Sequence, residues 1–135
     1  MIGVLVISHG AIGETLLSSA EQILGARQAQ SAALGVSRSD DPDKVLERAR
    51  ALVARLDQGA GVLVLTDMFG ATPCNVAARL LADGRVEGVS GVSLPMLVRV
   101  LSGRNGSLPA AVQRALTGGA EGVVHMNTDS CGAKR

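Results

Sequence analysis

Two short segments carry most of the side chains in this chain that could do covalent chemistry. In Ser8-His9-Gly10 an apolar run ends in an imidazole, and in Asp67-Met68-Phe69-Gly70-Ala71-Thr72-Pro73 another ends in a carboxylate. A histidine used as a nucleophile must be neutral with one ring nitrogen free. A carboxylate on the other nitrogen fixes tautomer and ring orientation. Asp67 is the candidate to do this for His9, through a bond to a charged acceptor worth roughly 1.5–3 kcal/mol, enough to favour one tautomer strongly. The residues after Asp67 suit an anion. Thr72 is expected to cap a helix with its hydroxyl, Pro73 fits the first turn, and the free amides of that helix start favour a phosphoryl group. Gly10, Gly70, Ala71 and Thr72 make up the candidate cradle, the glycines because they let backbone approach closely. Neither segment holds a second acid or base to activate water. The pattern therefore describes a phosphohistidine site better than a hydrolytic one.

Each piece also has a plainer reading. A lone histidine after a strand is more often a hydrogen-bonded structural residue, Thr-Pro usually just opens a helix, and Asp67 could merely begin a turn. Phe69, the single aromatic residue, is either a core residue or a docking knob beside the site. Cys74 reads as a small buried spacer and His125 as a strand residue. The functional reading rests on His9 and Asp67 converging.

The elements that would bring them together alternate along the chain. A strand over about Ile2 to Ser8 leads to a helix from about Ile12, with Leu16, Leu17, Ala20, Ile23 and Leu24 inward and Gly25 as its stop. A weak strand spans Ala32 to Val36, and Asp40-Asp41-Pro42 starts a second helix with an acidic cap and proline at its first position. Val45, Ala49, Leu52, Val53 and Leu56 form its apolar face. Gly61 to Thr66 reads as a central strand. Thr72-Pro73 opens a helix carrying Val76, Ala77, Leu80 and Leu81, Val86 to Val92 is a fourth strand, and helices begin near Pro95 and Pro109. Glu121 to Met126 is expected as a last short strand. Such alternation predicts an α/β three-layer sandwich with a mostly parallel sheet. With right-handed crossovers the order 2-1-3-4 makes the first and third strands neighbours, and the two segments then meet at the switch point where such sheets hold ligands.

Composition narrows the function. The 135 residues suffice for one domain, expected over 1–127 with a polar tail at 128–135. The chain is 47% hydrophobic with no Trp or Tyr, so Val, Leu, Ile and Ala must build the core of a sheet covered by helices. A net charge of +1 without a basic stripe disfavours nucleic acid. Cys74 and Cys131 have no metal-ligand spacing, and reduced thiols are the economical reading. No signal sequence opens the chain and no apolar stretch approaches the ~20 residues that cross a bilayer, so a cytoplasmic protein is expected.

Val6-Ile7-Ser8-His9-Gly10, the loop Asp67 to Asn75 (DMFGATPCN) and Gly91 to Leu97 (GVSLPML) resemble the IIA component of the mannose/fructose/sorbose family of the bacterial phosphoenolpyruvate:sugar phosphotransferase system (PTS). The similarity covers nearly the whole chain, and the D-x-[FW]-G-[GA]-[ST]-P-x-N loop is its specific part. The resemblance implies a cytoplasmic phosphocarrier with no cofactor and no metal. His9 would take a phosphoryl group from phospho-HPr on Nε2 and pass it to an EIIB partner. Asp67 would orient the ring, and the Thr72 hydroxyl would help hold the phosphoryl group. It also implies a homodimer that exchanges its last strand, here Glu121 to Met126, as an antiparallel edge addition. Membrane contact would come only through the sugar permease. Ala71 replaces the second glycine of the commonest loop, a mild departure. With no alanine/proline-rich linker and no IIB domain in the sequence, the chain is expected either to serve a separate EIIB protein in sugar uptake or to belong to an incomplete, regulatory phosphorelay.

The rivals fit less well. The phosphotransfer subunit of dihydroxyacetone kinase shares the first strand and histidine, but its second loop differs. A tetrapyrrole metal chelatase would need a second ligand facing His9, and only His125 is on offer. A histidine phosphatase would place an arginine where Ser8 stands. A receiver domain would need an acidic metal pocket that Ser8-His9 does not supply.

Overall fold

The computed structural model describes residues 1–128. Four strands, β1 (Gly3–His9), β2 (Ser31–Val36), β3 (Val62–Thr66) and β4 (Val86–Ser90), form one parallel sheet in the order β2-β1-β3-β4. Five helices alternate with them: α1 (Ile12–Leu24), α2 (Pro42–Leu56), α3 (Thr72–Ala78), α4 (Leu94–Leu101) and α5 (Leu108–Glu121). The expected architecture and strand order are both found.

The central strands read as unbroken apolar runs because both their faces are covered. Val4, Val6, Leu63 and Leu65 face α1, α4 and α5, while Leu5, Ile7, Val62 and Val64 face α2 and α3. Each fully buried Val, Leu or Ile side chain contributes about 1.5–3 kcal/mol, so aliphatics alone can carry this core. The helices begin where polar side chains satisfy their first amides. Asp41 accepts from the Asp43 amide (3.0 Å), Ser93 from Met96 (3.3 Å) and Ser107 from Ala110 (3.2 Å), each followed by proline in the first turn.

The amino end of the sheet is tied shut. Arg104 is 5% exposed, and its guanidinium donates to the carbonyls of Ile2 (2.8 and 3.1 Å), Gln30 (2.7 Å) and Ala29. Burial lowers its pKa, yet a guanidinium stays protonated in proteins. Its own carbonyl accepts from the Ile2 amide at 3.0 Å. One side chain thus joins the entries of β1 and β2 to the loop after α4.

Several details differ from the sequence-based expectations. Ile23 is exposed: the inward stripe of α1 runs through Leu16, Leu17, Ala20 and Leu24, and Ile23 instead lines an open cavity with residues of α4 and α5. Leu80 is buried but Leu81 is exposed, because α3 ends at Ala78. Cys74 is half-buried, whereas Cys131 and the tail from 129 lie outside the described residues. The strand expected at Glu121 to Met126 is not formed within the single chain. Glu121 closes α5, and residues 122–126, including His125, have no ladder partner there. The segment joins neither edge strand of the sheet, β2 nor β4.

Candidate active site

Register decides which residues meet at the carboxyl end. Ile7 pairs with Thr66 in the parallel β1–β3 ladder, so the residue after Thr66 comes level with the end of β1. There Oδ2 of Asp67 accepts two hydrogen bonds from one residue, from the His9 backbone amide at 2.9 Å and from His9 Nδ1 at 2.8 Å. An ionised carboxylate can only accept, so Nδ1 is the donor, and in the neutral form of the ring the lone pair then lies on Nε2. The His9 side chain is 49% exposed and that of Asp67 only 11%. Burial raises the Asp67 pKa, but the bonds from the His9 amide and ring outweigh it and hold the carboxyl below its ordinary value of 3.8. Oδ1 of Asp67 is buried without a hydrogen-bond partner among the described residues.

The turn that carries His9 is close-fitted on both sides. Gly10 has a φ of +50°, and its amide donates to the Val36 carbonyl at 3.0 Å. Its own carbonyl passes so near β2 that a Cβ on Gly35 would lie 2.3 Å from that oxygen. Glycine at 35 is therefore a steric requirement of the turn. Ser8, fully buried, accepts from the Gly13 amide at 2.8 Å and approaches the His9 carbonyl at 3.3 Å. Sequence reading missed Ser8 as part of the site. Its signal was a polar residue in an otherwise apolar strand.

The second segment runs from Asp67 over the exposed Met68, Phe69 and Gly70 into α3. Phe69 is 83% exposed, so its core reading is excluded. Thr72 is exposed but caps nothing. Ala71 is the N-cap, Thr72 is already the first helical residue, and no side-chain capping bond is made at this helix start. The Ala71 and Thr72 amides have no protein acceptor among the described residues. His9 and Asp67 line neither the cavity of about 510 Å³ between α1, α4 and α5 nor that of about 250 Å³ between α2 and α3. The His9 ring is half exposed at the carboxyl end of the sheet. Among the described residues no group of three or more His, Cys, Asp or Glu side chains could hold a metal ion, and no helix is long and apolar enough to cross a membrane.

An open parallel sheet covered by helices on both faces, with a half-exposed histidine bonded to a carboxylate at its switch point, places the chain in the class of α/β sandwich domains. The particular family follows from comparison: residues 3–116 match the family model of the PTS system fructose IIA component, and the chain belongs to that family. It is 34% identical over 125 residues to the mannose-specific EIIAB component of Escherichia coli K12, covering 90% of this chain and 38% of that protein. The chain thus spans well under half the length of that relative. It is 32% identical over 103 residues to the fructose-specific EIIA component of Bacillus subtilis, covering 76% of this chain and 70% of that one. The crystal structure of the phosphotransferase system component EIIA from Streptococcus agalactiae superposes with a TM-score of 0.84 at 28% identity, covering 95% of this chain and 99% of that one.

Proposed function

We propose that this chain is a phosphocarrier of a sugar phosphotransferase system and that His9 Nε2 is its phosphoryl acceptor. The observation that carries this reading is the double bond-taking of Asp67 Oδ2, which fixes the backbone and ring of His9 together while the ring stays half exposed. The Nε2 lone pair attacks phosphorus on phospho-HPr, and the bond from phosphorus to the donor breaks with its electron pair leaving on the donor. The Nδ1 proton stays on His9, where Asp67 offsets the charge of the phosphorylated ring. A second transfer moves the group to an EIIB protein by the same exchange. Such transfer needs positioning above all, since no water has to be activated.

The free amides at Ala71 and Thr72, together with Gly10 and Gly70, are the proposed contacts of the phosphoryl oxygens. The Thr72 hydroxyl, free of any capping bond, joins them. Phe69 is proposed to dock the partner protein. The chain works in the cytoplasm as a homodimer in which residues 121–126, strandless in the single chain, add to a partner's sheet edge. Incubation with phosphoenolpyruvate, enzyme I and HPr should yield an acid-labile, base-stable phosphoryl adduct. Label retained by His9→Ala, or none taken up by the wild type, would sink the proposal. Phe69→Ala should weaken HPr binding about tenfold or less, as for one exposed aromatic contact, and unaltered affinity by titration would remove Phe69 from the docking surface.

A further inference from the structure

We infer that Ser8 is a positioning residue for this transfer, its buried hydroxyl tying the start of α1 to the end of β1 so that His9 presents Nε2 in one place. The inference rests on the reading of His9 as phosphoryl acceptor and concerns how its main chain is held. The Asp67 carboxylate fixes the ring and amide of His9 from the β3 side. The Val36 carbonyl holds the Gly10 amide from the β2 side. On the remaining side, toward α1, the Ser8 hydroxyl is the link. It accepts from the Gly13 amide at 2.8 Å and reaches the His9 carbonyl at 3.3 Å.

Two further observations give this link its weight. The N-cap of α1 is Ala11, which has no capping side chain, so Ser8 supplies from the strand the acceptor that the helix start lacks. The helix start is also pressed onto that hydroxyl. A Cβ on Gly13 would lie 2.8 Å from Val6 Cγ1 and 3.1 Å from Ser8 Oγ. Glycine at 13 lets α1 come down far enough for the bond to form. Without the hydroxyl, β1 and α1 would be joined at this point only through Gly10 and Ala11. The turn bearing His9 could then shift against the Asp67 carboxylate, and misplacing a reacting group by about 1 Å can cost ~10²-fold in rate. The Asp67 and Val36 bonds remain, so the expected loss is smaller, about tenfold.

The test compares wild type, Ser8→Ala and Ser8→Thr in single-turnover phosphoryl uptake from phospho-HPr, with urea midpoints and nitrogen NMR of the His9 ring recorded on the same samples. Ser8→Ala should slow uptake about tenfold and disturb the His9 ring resonances, and Ser8→Thr, which keeps the hydroxyl, should recover most of both. Uptake by Ser8→Ala at the wild-type rate overturns the inference. So does slowed uptake accompanied by a lower urea midpoint and unchanged His9 resonances, which is what a purely structural serine would give. If Ser8→Ala is recovered unfolded, Ser8→Cys, which keeps the shape with a weaker acceptor, is judged by the same criteria. A wild type that takes up no phosphoryl group refutes the acceptor reading itself, whereas an active wild type with an unimpaired Ser8→Ala refutes only the role of Ser8.

Discussion

Two aspartates bracket β3, and they are used differently. Asp57 precedes the strand. One of its oxygens accepts from the amides of Gly59 (2.9 Å) and Gly61 (3.2 Å), and the other accepts from Arg85 at 2.7 Å. Asp67 follows the strand, uses a single oxygen for both bonds from His9, and leaves the other buried and unpaired. Both carboxyls are held below their ordinary pKa. At Asp57 the Gly59 amide is the main cause, and Arg85 and Gly61 also help against burial. At Asp67 burial is the largest influence and opposes the shift, and the His9 amide and ring, helped by the amide of Asp67 itself, overcome it. A carboxylate satisfied on both oxygens by a loop and an arginine stitches the fold. One whose two bonds both come from His9, its amide and its half-exposed ring, is tied to that residue instead. Arg104 follows the same division, since the amino end buries a complete network and the carboxyl end keeps an open one.

The sharpest way to break this comparison is to truncate both aspartates. Asp67→Ala should slow phosphorylation about a hundredfold, the rate equivalent of losing a roughly 2–3 kcal/mol bond to a charged acceptor, while the domain stays folded. Asp57→Ala should do the reverse, lowering unfolding free energy by about 2 kcal/mol with phosphorylation unchanged. Urea titration and single-turnover rates on both variants read the two effects. Equal rate losses, or equal stability losses, would erase the distinction.

The smallest expected effect is on acid sensitivity. A folded-state pKa below the unfolded value of 3.8 means that the ionised form stabilises the fold. That contribution is complete above the unfolded pKa and is lost as pH falls through the folded one. Unfolding free energy should therefore decline below about pH 5, and Asp57→Ala should flatten part of that decline. A parallel profile in the variant would show that Asp57 does not supply it.

Much of the division was legible in the sequence because its signals are local or periodic. Unbroken apolar runs at Gly3–Ile7 and Val62–Leu65 mark strands covered on both faces, and Asp41-Pro42 marks a helix start by its own chemistry. The meeting of His9 with Asp67 followed from strand order alone, since a sheet ordered 2-1-3-4 leaves their ends adjacent. The features left unread depend on contacts across the chain. Thr72 looks like a cap because Thr-Pro pairs usually are, and only the observed start of α3, with Ala71 as N-cap, shows that Thr72 lies inside the helix and makes no capping bond. The Ser8 hydroxyl gains its meaning from how closely Gly13 lets α1 approach. Nothing near Arg104 in sequence announces that the carbonyls of Ile2, Ala29 and Gln30 will gather around it. The segment after Glu121 has strand-like residues, yet among the described residues it pairs with neither edge strand, β2 nor β4.

On the proposed mechanism Asp67 holds the Nδ1 proton and thereby leaves Nε2 as the acceptor. Nitrogen–phosphorus NMR of the ring-labelled, phosphorylated protein tests this directly. One phosphoryl group on Nε2 of His9, with the proton retained on Nδ1, is the expected result. Phosphorus bonded to Nδ1, to His125 or to the Asp67 carboxylate would contradict it.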